Sequence, residues 1–295
     1  MAQLKISNLS KTYPNGVKAL DNVSLEINNG MFGLLGPNGA GKSSLMRTVA
    51  TLQEADSGSV HLDGLDVLAN PTELRKVLGY LPQEFGVYPR ITAAQLLDHM
   101  AILKGINNSK ERRQLVRYLL NKVNLYRQRD KSVKSFSGGM KQRVGIAQAL
   151  IGNPQLIIVD EPTAGLDPGE RNRFYNLLAE VGEEVVVILS THIVDDVREL
   201  CTDMAIMNHG SIVYNGSPLT VLDDLEGLVW QKQIERTELD DYKERYTVIS
   251  NKMVAGKPQI HVLSDDDPGD GFSAVAPSLE DVFFTKINES NSVTA

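Results

Sequence analysis

The chain opens with apolar residues near every second position: Leu4, Ile6 and Leu9, then Val23, Leu25 and Ile27. A period of two sends alternate side chains to opposite faces, so both stretches predict half-buried strands of an antiparallel sheet. Tyr13-Pro14-Asn15-Gly16 between them has turn chemistry. The pattern then changes to short unbroken apolar runs. Met31-Phe32-Gly33-Leu34-Leu35, Leu156-Ile157-Ile158-Val159 and residues 185–189 predict strands buried on both faces, and hence a parallel sheet between helices. Polar chemistry follows each run directly, where open α/β sheets bind ligands.

Over about residues 92–150, Leu, Lys, Arg and Gln recur at helical spacing with no strand-like run, which predicts a helical subdomain. Ile212-Val213-Tyr214-Asn215-Gly216 predicts one more strand and turn, and Pro218 punctuates. Residues 219–295 read as a small α+β appendage with strand-like Val229-Trp230 and Gln259-Ile260-His261-Val262-Leu263. It ends in Ser278-Leu279-Glu280-Asp281-Val282-Phe283-Phe284, an N-cap and acidic first turn with Leu279, Val282 and Phe283 on one apolar face. That face has to be buried, and a second copy of the chain is the expected cover. The expected fold is thus α/β: a parallel sheet with flanking helices, an N-terminal antiparallel β-subdomain and a helical subdomain over residues 1–218, then an accessory domain over 219–295.

Gly36-Pro37-Asn38-Gly39-Ala40-Gly41-Lys42-Ser43 fits the P-loop pattern and lies between an apolar strand and a helix. The glycines Gly36, Gly39 and Gly41 let the backbone curl so that its N–H groups, with Asn38 in the loop, converge on phosphate oxygens. The following helix adds the partial positive charge of its N-terminus. Lys42 is then expected to reach the β- and γ-phosphates, Ser43 to hold Mg²⁺, and Ser44 to add a phosphate hydrogen bond. Asp160 and Glu161 follow the second buried strand. On its own such a pair is more often a helix cap, but a P-loop requires a magnesium carboxylate, which Asp160 supplies. Glu161 beside it can polarise an attacking water.

With these residues in place, a family resemblance becomes visible. Ser137-Gly138-Gly139-Met140-Lys141-Gln142-Arg143 resembles the signature motif of ABC ATPases. Gln83, in Tyr80-Leu81-Pro82-Gln83, resembles the Q-loop, Ala164-Gly165-Leu166-Asp167 the D-loop, and His192 the switch histidine. Tyr13 stands where the family places an aromatic against adenine. The match runs in the family's order over about residues 2–217. One departure is Phe136-Ser137-Gly138-Gly139-Met140 in place of the commoner Leu-Ser-Gly-Gly-Gln. It retains the serine and glycines, and Met fills the space of the lost amide.

The resemblance implies an ABC-type P-loop ATPase whose copies pair head to tail around two ATP with Mg²⁺. One copy gives the P-loop, Asp160, Glu161, Gln83 (also near the metal) and His192; the other gives Ser137, Gly138 and Gly139, with Asp167 at the seam. It further implies a second copy or paralogous ATPase subunit as partner. A membrane permease would dock near residues 83–91, which places the chain at the cytoplasmic face. The Ser-Leu-Glu-Asp-Val-Phe ending resembles ATPase subunits of ABC-2-type exporters. An importer subunit and a soluble ABC ATPase acting on DNA or ribosomes are the alternatives.

Composition narrows this. A formal net charge of −7 disfavours a nucleic-acid binder, which needs a basic face to displace counterions. The interval between P-loop and signature lacks the sustained heptads of DNA-repair members. No apolar run approaches the roughly 18–20 residues of a membrane span, and the N-terminal residues enter strand alternation with no leader-like segment. Cys201 is the single cysteine, so no intrachain disulfide can form. His61, His99, His209 and His261 lack ligand-like spacing and read as structural or exposed. The acidic stretch at residues 264–271 lacks EF-hand spacing and reads as a solvated loop.

Overall fold

The computed structural model describes residues 2–83, 86, 90–163 and 166–294. Strands β1 (Gln3–Thr12) and β2 (Lys18–Asn28) pair antiparallel, and β3 (Gly30–Leu35) runs directly into the glycine loop and helix α1 (Lys42–Val49). Strands β4 (Ser57–Leu62) and β5 (Leu65–Asp66) complete a four-stranded sheet of order β2-β1-β4-β5. The period-two pattern slips between Ile6 and Leu9 because β1 bulges there, with Asn8 at φ 49°. The slip returns Leu9 to the buried face.

Helix α2 (Pro71–Val77) leads into β6 (Leu78–Leu81). Three helices follow: α3 (Ala93–Leu103), α4 (Ser109–Lys122) and α5 (Gly138–Ala149). Each starts on a side-chain cap: Thr92 in a capping box with Gln95, Asn108, and Ser137. Next come β7 (Leu156–Asp160), α6 (Pro168–Gly182), β8 (Val186–Thr191), α7 (Val194–Leu200), β9 (Asp203–Asn208) and β10 (Ser211–Gly216). The central sheet has order β10-β9-β3-β8-β7-β6, parallel except for the edge strand β10.

Its unbroken apolar strands are explained by what lies on each side. Phe32, Leu34, Ile158 and Ile188 pack with α1 and the antiparallel sheet. Leu35, Val159 and Leu189 pack with α5, α6 and the rest of the helical layer.

Beyond Pro218 stand β11 (Val229–Gln233), α8 (Leu239–Arg245), β12 (Thr247–Val254), β13 (Lys257–Leu263) and β14 (Ser273–Ala274), in a sheet of order β12-β13-β11-β14. Ile234, Tyr242, Ile260, Val262 and Phe272 form a small core of its own. Helix α9 (Leu279–Thr294) does not present its apolar face to a second copy, as the sequence suggested. Leu279, Val282 and Phe283 are buried within the chain, in the same core as Ile249 of β12, Val197 of α7, and Met204 and Ile206 of β9. Asn208 Nδ2 also donates to Asn291 Oδ1 at 2.9 Å.

The start of α9 is fixed by the buried Asp281. It accepts from the Ser278 backbone N–H at 2.9 Å and pairs with His261 Nδ1 at 2.7 Å. Burial pushes its carboxyl up, but His261 and the two Ser278 groups outweigh that and hold it below the usual carboxylate range. Ending the chain at residue 218 uncovers the β9 and α7 face. Each lost large apolar side chain removes about 1.5–3 kcal/mol, so the melting temperature is expected to fall by roughly 10 °C or more. Differential scanning calorimetry of the two chains checks this; an unchanged melting temperature would contradict the packing.

Candidate active site

The loop after β3 turns into α1 at Gly41, whose φ is 109°. A Cβ there would lie 2.3 Å from the Ala19 carbonyl oxygen, so both conformation and space demand glycine. Lys42, in the first turn of α1, donates through Nζ to the carbonyls of Gly36 at 2.5 Å and Pro37 at 3.1 Å. Burial pushes its ammonium below the usual lysine range, while the Glu161 and Asp160 carboxylates pull the other way.

A cavity of about 650 Å³ opens over this loop, a size typical of small-molecule sites. Asn38, Gly39, Gly41, Lys42, Ser43 and Ser44 line it on one side, and Tyr13, Gln83 and Glu161 elsewhere. The Tyr13 hydroxyl is shared with Ser44 Oγ at 3.0 Å and donates to Gln53 Oε1 at 3.1 Å, which fixes the ring at the mouth.

The parallel register of β7 and β8 sets Asp160 beside Ser190, so Glu161 and His192 emerge together. Glu161 carries φ 45°, a left-handed conformation unusual for a residue with a side chain, and its N–H donates to the Ser190 carbonyl at 2.9 Å. Its carboxylate is held from two sides. Gln83 Nε2 donates to Oε2 at 3.0 Å, and His192 Nδ1 lies 3.1 Å from Oε1. Asp160, behind it, is buried, which raises its carboxyl above the usual range; the Ser190 hydroxyl opposes that, Glu161 adds to it, and Arg47 and Lys42 oppose it again.

The donor set fits magnesium. The Asp160 carboxylate and the exposed Ser43 hydroxyl are hard oxygens, and Gln83 Oε1 is a third metal-competent atom. Among the described residues no three His, Cys, Asp or Glu side chains converge as a cage. This suits an ion that relies on one carboxylate, a hydroxyl and phosphate oxygens.

The cavity wall does not include Ser137, Gly138, Gly139 or Asp167. Ser137 caps α5 by accepting from Met140 N–H at 3.2 Å, and Asp167 caps α6 by accepting from Glu170 N–H at 2.9 Å. The two helices are clasped: Arg143 of α5 pairs with Glu170 at 3.2 Å and donates to the Val123 carbonyl at 3.2 Å. Ala164 and Gly165, and most of the expected docking segment after Gln83, lie outside the described residues.

The wall also contains residues the sequence did not mark: Val17, Lys18, Ala19, Ala40 and His209. His209, read as structural or exposed, reaches the cavity because Gly210 N–H donates to the Ala40 carbonyl at 2.9 Å and pins the β9–β10 turn to the loop. Nothing in its spacing signals this.

Residues 20–164 match the family model described as ABC transporter. Among relatives, the "Probable multidrug ABC transporter ATP-binding protein YbhF" of Escherichia coli is 31% identical over 96% of this chain, which spans 51% of YbhF, about half its length. The "Daunorubicin/doxorubicin resistance ATP-binding protein DrrA" of Streptomyces peucetius is 31% identical, covering 90% of this chain and 78% of DrrA. The "Methionine import ATP-binding protein MetN" of Lacticaseibacillus paracasei is 32% identical, covering 95% and 79%. A solved dimeric ATP-binding cassette in a post-hydrolysis state, bound to ADP and Pi, superposes with TM-score 0.67 at 28% identity, over 72% of this chain and 98% of that one. The loop, the paired acids and the capped signature helix thus sit on a fold and a sequence of one lineage, and the chain belongs to the ATP-binding proteins of the ABC transporter family, carrying that family's Mg²⁺-ATP-binding ATPase domain.

Proposed function

We propose that the chain is the ATP-hydrolysing subunit of an ABC exporter, pairing around two ATP and driving a separate membrane permease from its cytoplasmic face. The observation that carries the hydrolytic reading is Glu161 clamped between Gln83 and His192 at the edge of the glycine-loop cavity. When bound, magnesium supplies charge neutralisation on the phosphate oxygens, with Asp160 and Ser43 to hold it. Lys42 binds the terminal phosphates, Tyr13 stacks on the base, and Glu161 orients and polarises water while His192 and Gln83 fix its carboxylate. Ser137, Gly138 and Gly139 stand off the wall and serve the partner copy's nucleotide. Closure is then favoured only while a γ-phosphate bridges the two copies.

Among the described residues no helix is long and apolar enough to cross a membrane, which is why a permease is part of the proposal. The division at residue 218 belongs to it as well, supported by the separate small core beyond that point and by a cavity lined only by residues before it. Export is favoured by the residue 278–284 ending and by the drug-related names of YbhF and DrrA. Import is the second reading, favoured by the similarity to MetN. The chain purified with its permease, reconstituted with the ATP sites facing outward, decides between them. Cargo accumulating inside the vesicles means export, and ATP-driven release of preloaded cargo means import.

Base stacking is worth about 1–3 kcal/mol per base in nucleic-acid binders. Tyr13→Ala is therefore expected to weaken ATP binding roughly ten-fold or somewhat more. Tyr13→Phe keeps the ring, loses the bonds to Ser44 and Gln53, and should show a smaller effect. Equilibrium titration with ATP measures both, and equal affinities for wild type and Tyr13→Ala would refute stacking.

A further inference from the structure

Behind the cavity lies a carboxylate that the chemistry above does not use. Asp196, on α7, is completely buried. Among the described residues it has no Lys, Arg or His ion-pair partner, and its oxygens face three hydroxyls instead. Thr163 Oγ1 donates to Oδ2 at 2.5 Å, Thr191 Oγ1 to Oδ2 at 3.2 Å, and the Tyr175 hydroxyl to Oδ1. A carboxylate buried without a cation costs stability even when its hydrogen bonds are satisfied. The neighbouring Val197 shows what an apolar residue of this helix does instead: it packs directly against Gly33 of β3.

The three donors come from the segments that carry the chemistry. Thr163 lies two residues beyond Glu161 and leads toward Asp167. Thr191 ends β8 immediately before His192. Tyr175 is on α6, the helix that Asp167 caps. The Thr191 hydroxyl has two partners, donating to Asp196 and accepting from Ile193 N–H at 2.9 Å. His192 is therefore bracketed by a closed hydrogen-bonded turn anchored on Asp196.

We infer that Asp196 is a positioning residue for ATP hydrolysis, one buried carboxylate that holds the chain after Glu161 and the turn bearing His192 in fixed relation. Through Tyr175 and Thr163 the same group ties this pair to the root of the segment that reaches Asp167. Asp196 touches no cavity residue, so it acts on turnover through His192 and Glu161 and leaves the binding wall intact. The inference rests on the reading of those two as the hydrolytic pair.

The test uses the full chain and Mg²⁺-ATP, measuring kcat, KM and ATP affinity together with the melting temperature. Asp196→Asn sets an amide N–H₂ against groups that are all donors. It should lower kcat by about ten-fold or more, with ATP affinity within two-fold of wild type. Thr163→Val removes one donor at nearly constant volume and should lower kcat by a smaller factor, again without changing affinity; it carries the test if Asp196→Asn does not fold. Parallel loss of kcat and affinity would mean a general structural role and overturn the inference. So would a normal kcat in both variants while His192→Ala is impaired. Normal kcat in His192→Ala as well would instead remove the reading of the site on which the inference stands.

Discussion

Glu161→Gln is expected to reduce ATP turnover by about 100-fold or more while leaving nucleotide affinity near that of the wild type. The carboxylate is the only group placed beside both Gln83 and His192 at the cavity edge, and its backbone is held in a left-handed conformation by the bond to the Ser190 carbonyl. The amide is isosteric and keeps one acceptor, so the loop, Lys42 and the Tyr13 wall are undisturbed. What is lost is the negative charge that polarises water. Because binding survives and hydrolysis does not, ATP should accumulate in a paired form of this variant. Steady-state turnover in the assembled complex, with size-exclusion chromatography in the presence of ATP, tests both halves. Near-normal turnover would remove Glu161 from the mechanism.

Lys42→Ala should act differently, lowering both affinity and turnover. Its ammonium is the one buried cation of the cavity wall, held by two loop carbonyls and partly desolvated. Hydrogen bonds between charged groups contribute about 1.5–3 kcal/mol each, so its loss should weaken ATP binding by roughly 10- to 100-fold. Turnover falls further because the charge on the transferring group loses a fixed partner. Titration calorimetry with ATP and a turnover assay at saturating ATP check the two effects separately. Unchanged values in both would contradict the loop's role.

Much of the nucleotide site was legible because its residues are contiguous or follow buried strands. The glycine loop, the Asp160-Glu161 pair and His192 each sit at the end of an apolar run, and a parallel sheet brings such ends to one edge. Less was legible where a role depends on contacts between distant segments. Asp196 lies in an unremarkable acidic stretch of α7, and only the fold shows three hydroxyls meeting on it. Arg143 could be seen as part of the signature, but its pairing with Glu170 spans two helices. Strand β6 was not anticipated, because four residues carry too little pattern. Its Gly79 lies so near Ala149 of α5 that a Cβ would meet that carbonyl oxygen at 2.3 Å. The apolar face of α9 was read correctly as a face needing cover, but amphipathicity does not say whose surface supplies it.

The position of β3 also governs how the molecule is made. It lies between β8 and β9, pairing Gly30 with Val186 and Phe32 with Asp203. The nucleotide loop is therefore synthesised among the first residues but lacks both neighbouring strands until more than 150 further residues have followed. At about 5–20 residues per second, that interval lasts on the order of ten seconds or more. During it, Phe32, Leu34 and Leu35 emerge from the ribosome without their sheet partners. Long-range parallel pairing of this kind is slow and exposes apolar strands to aggregation. Nascent chains stalled before β9 should hold an antiparallel N-terminal sheet and yet fail to retain ATP. Chains stalled beyond it, with the tunnel length added, should retain it, so nucleotide capture marks the moment at which the central sheet closes.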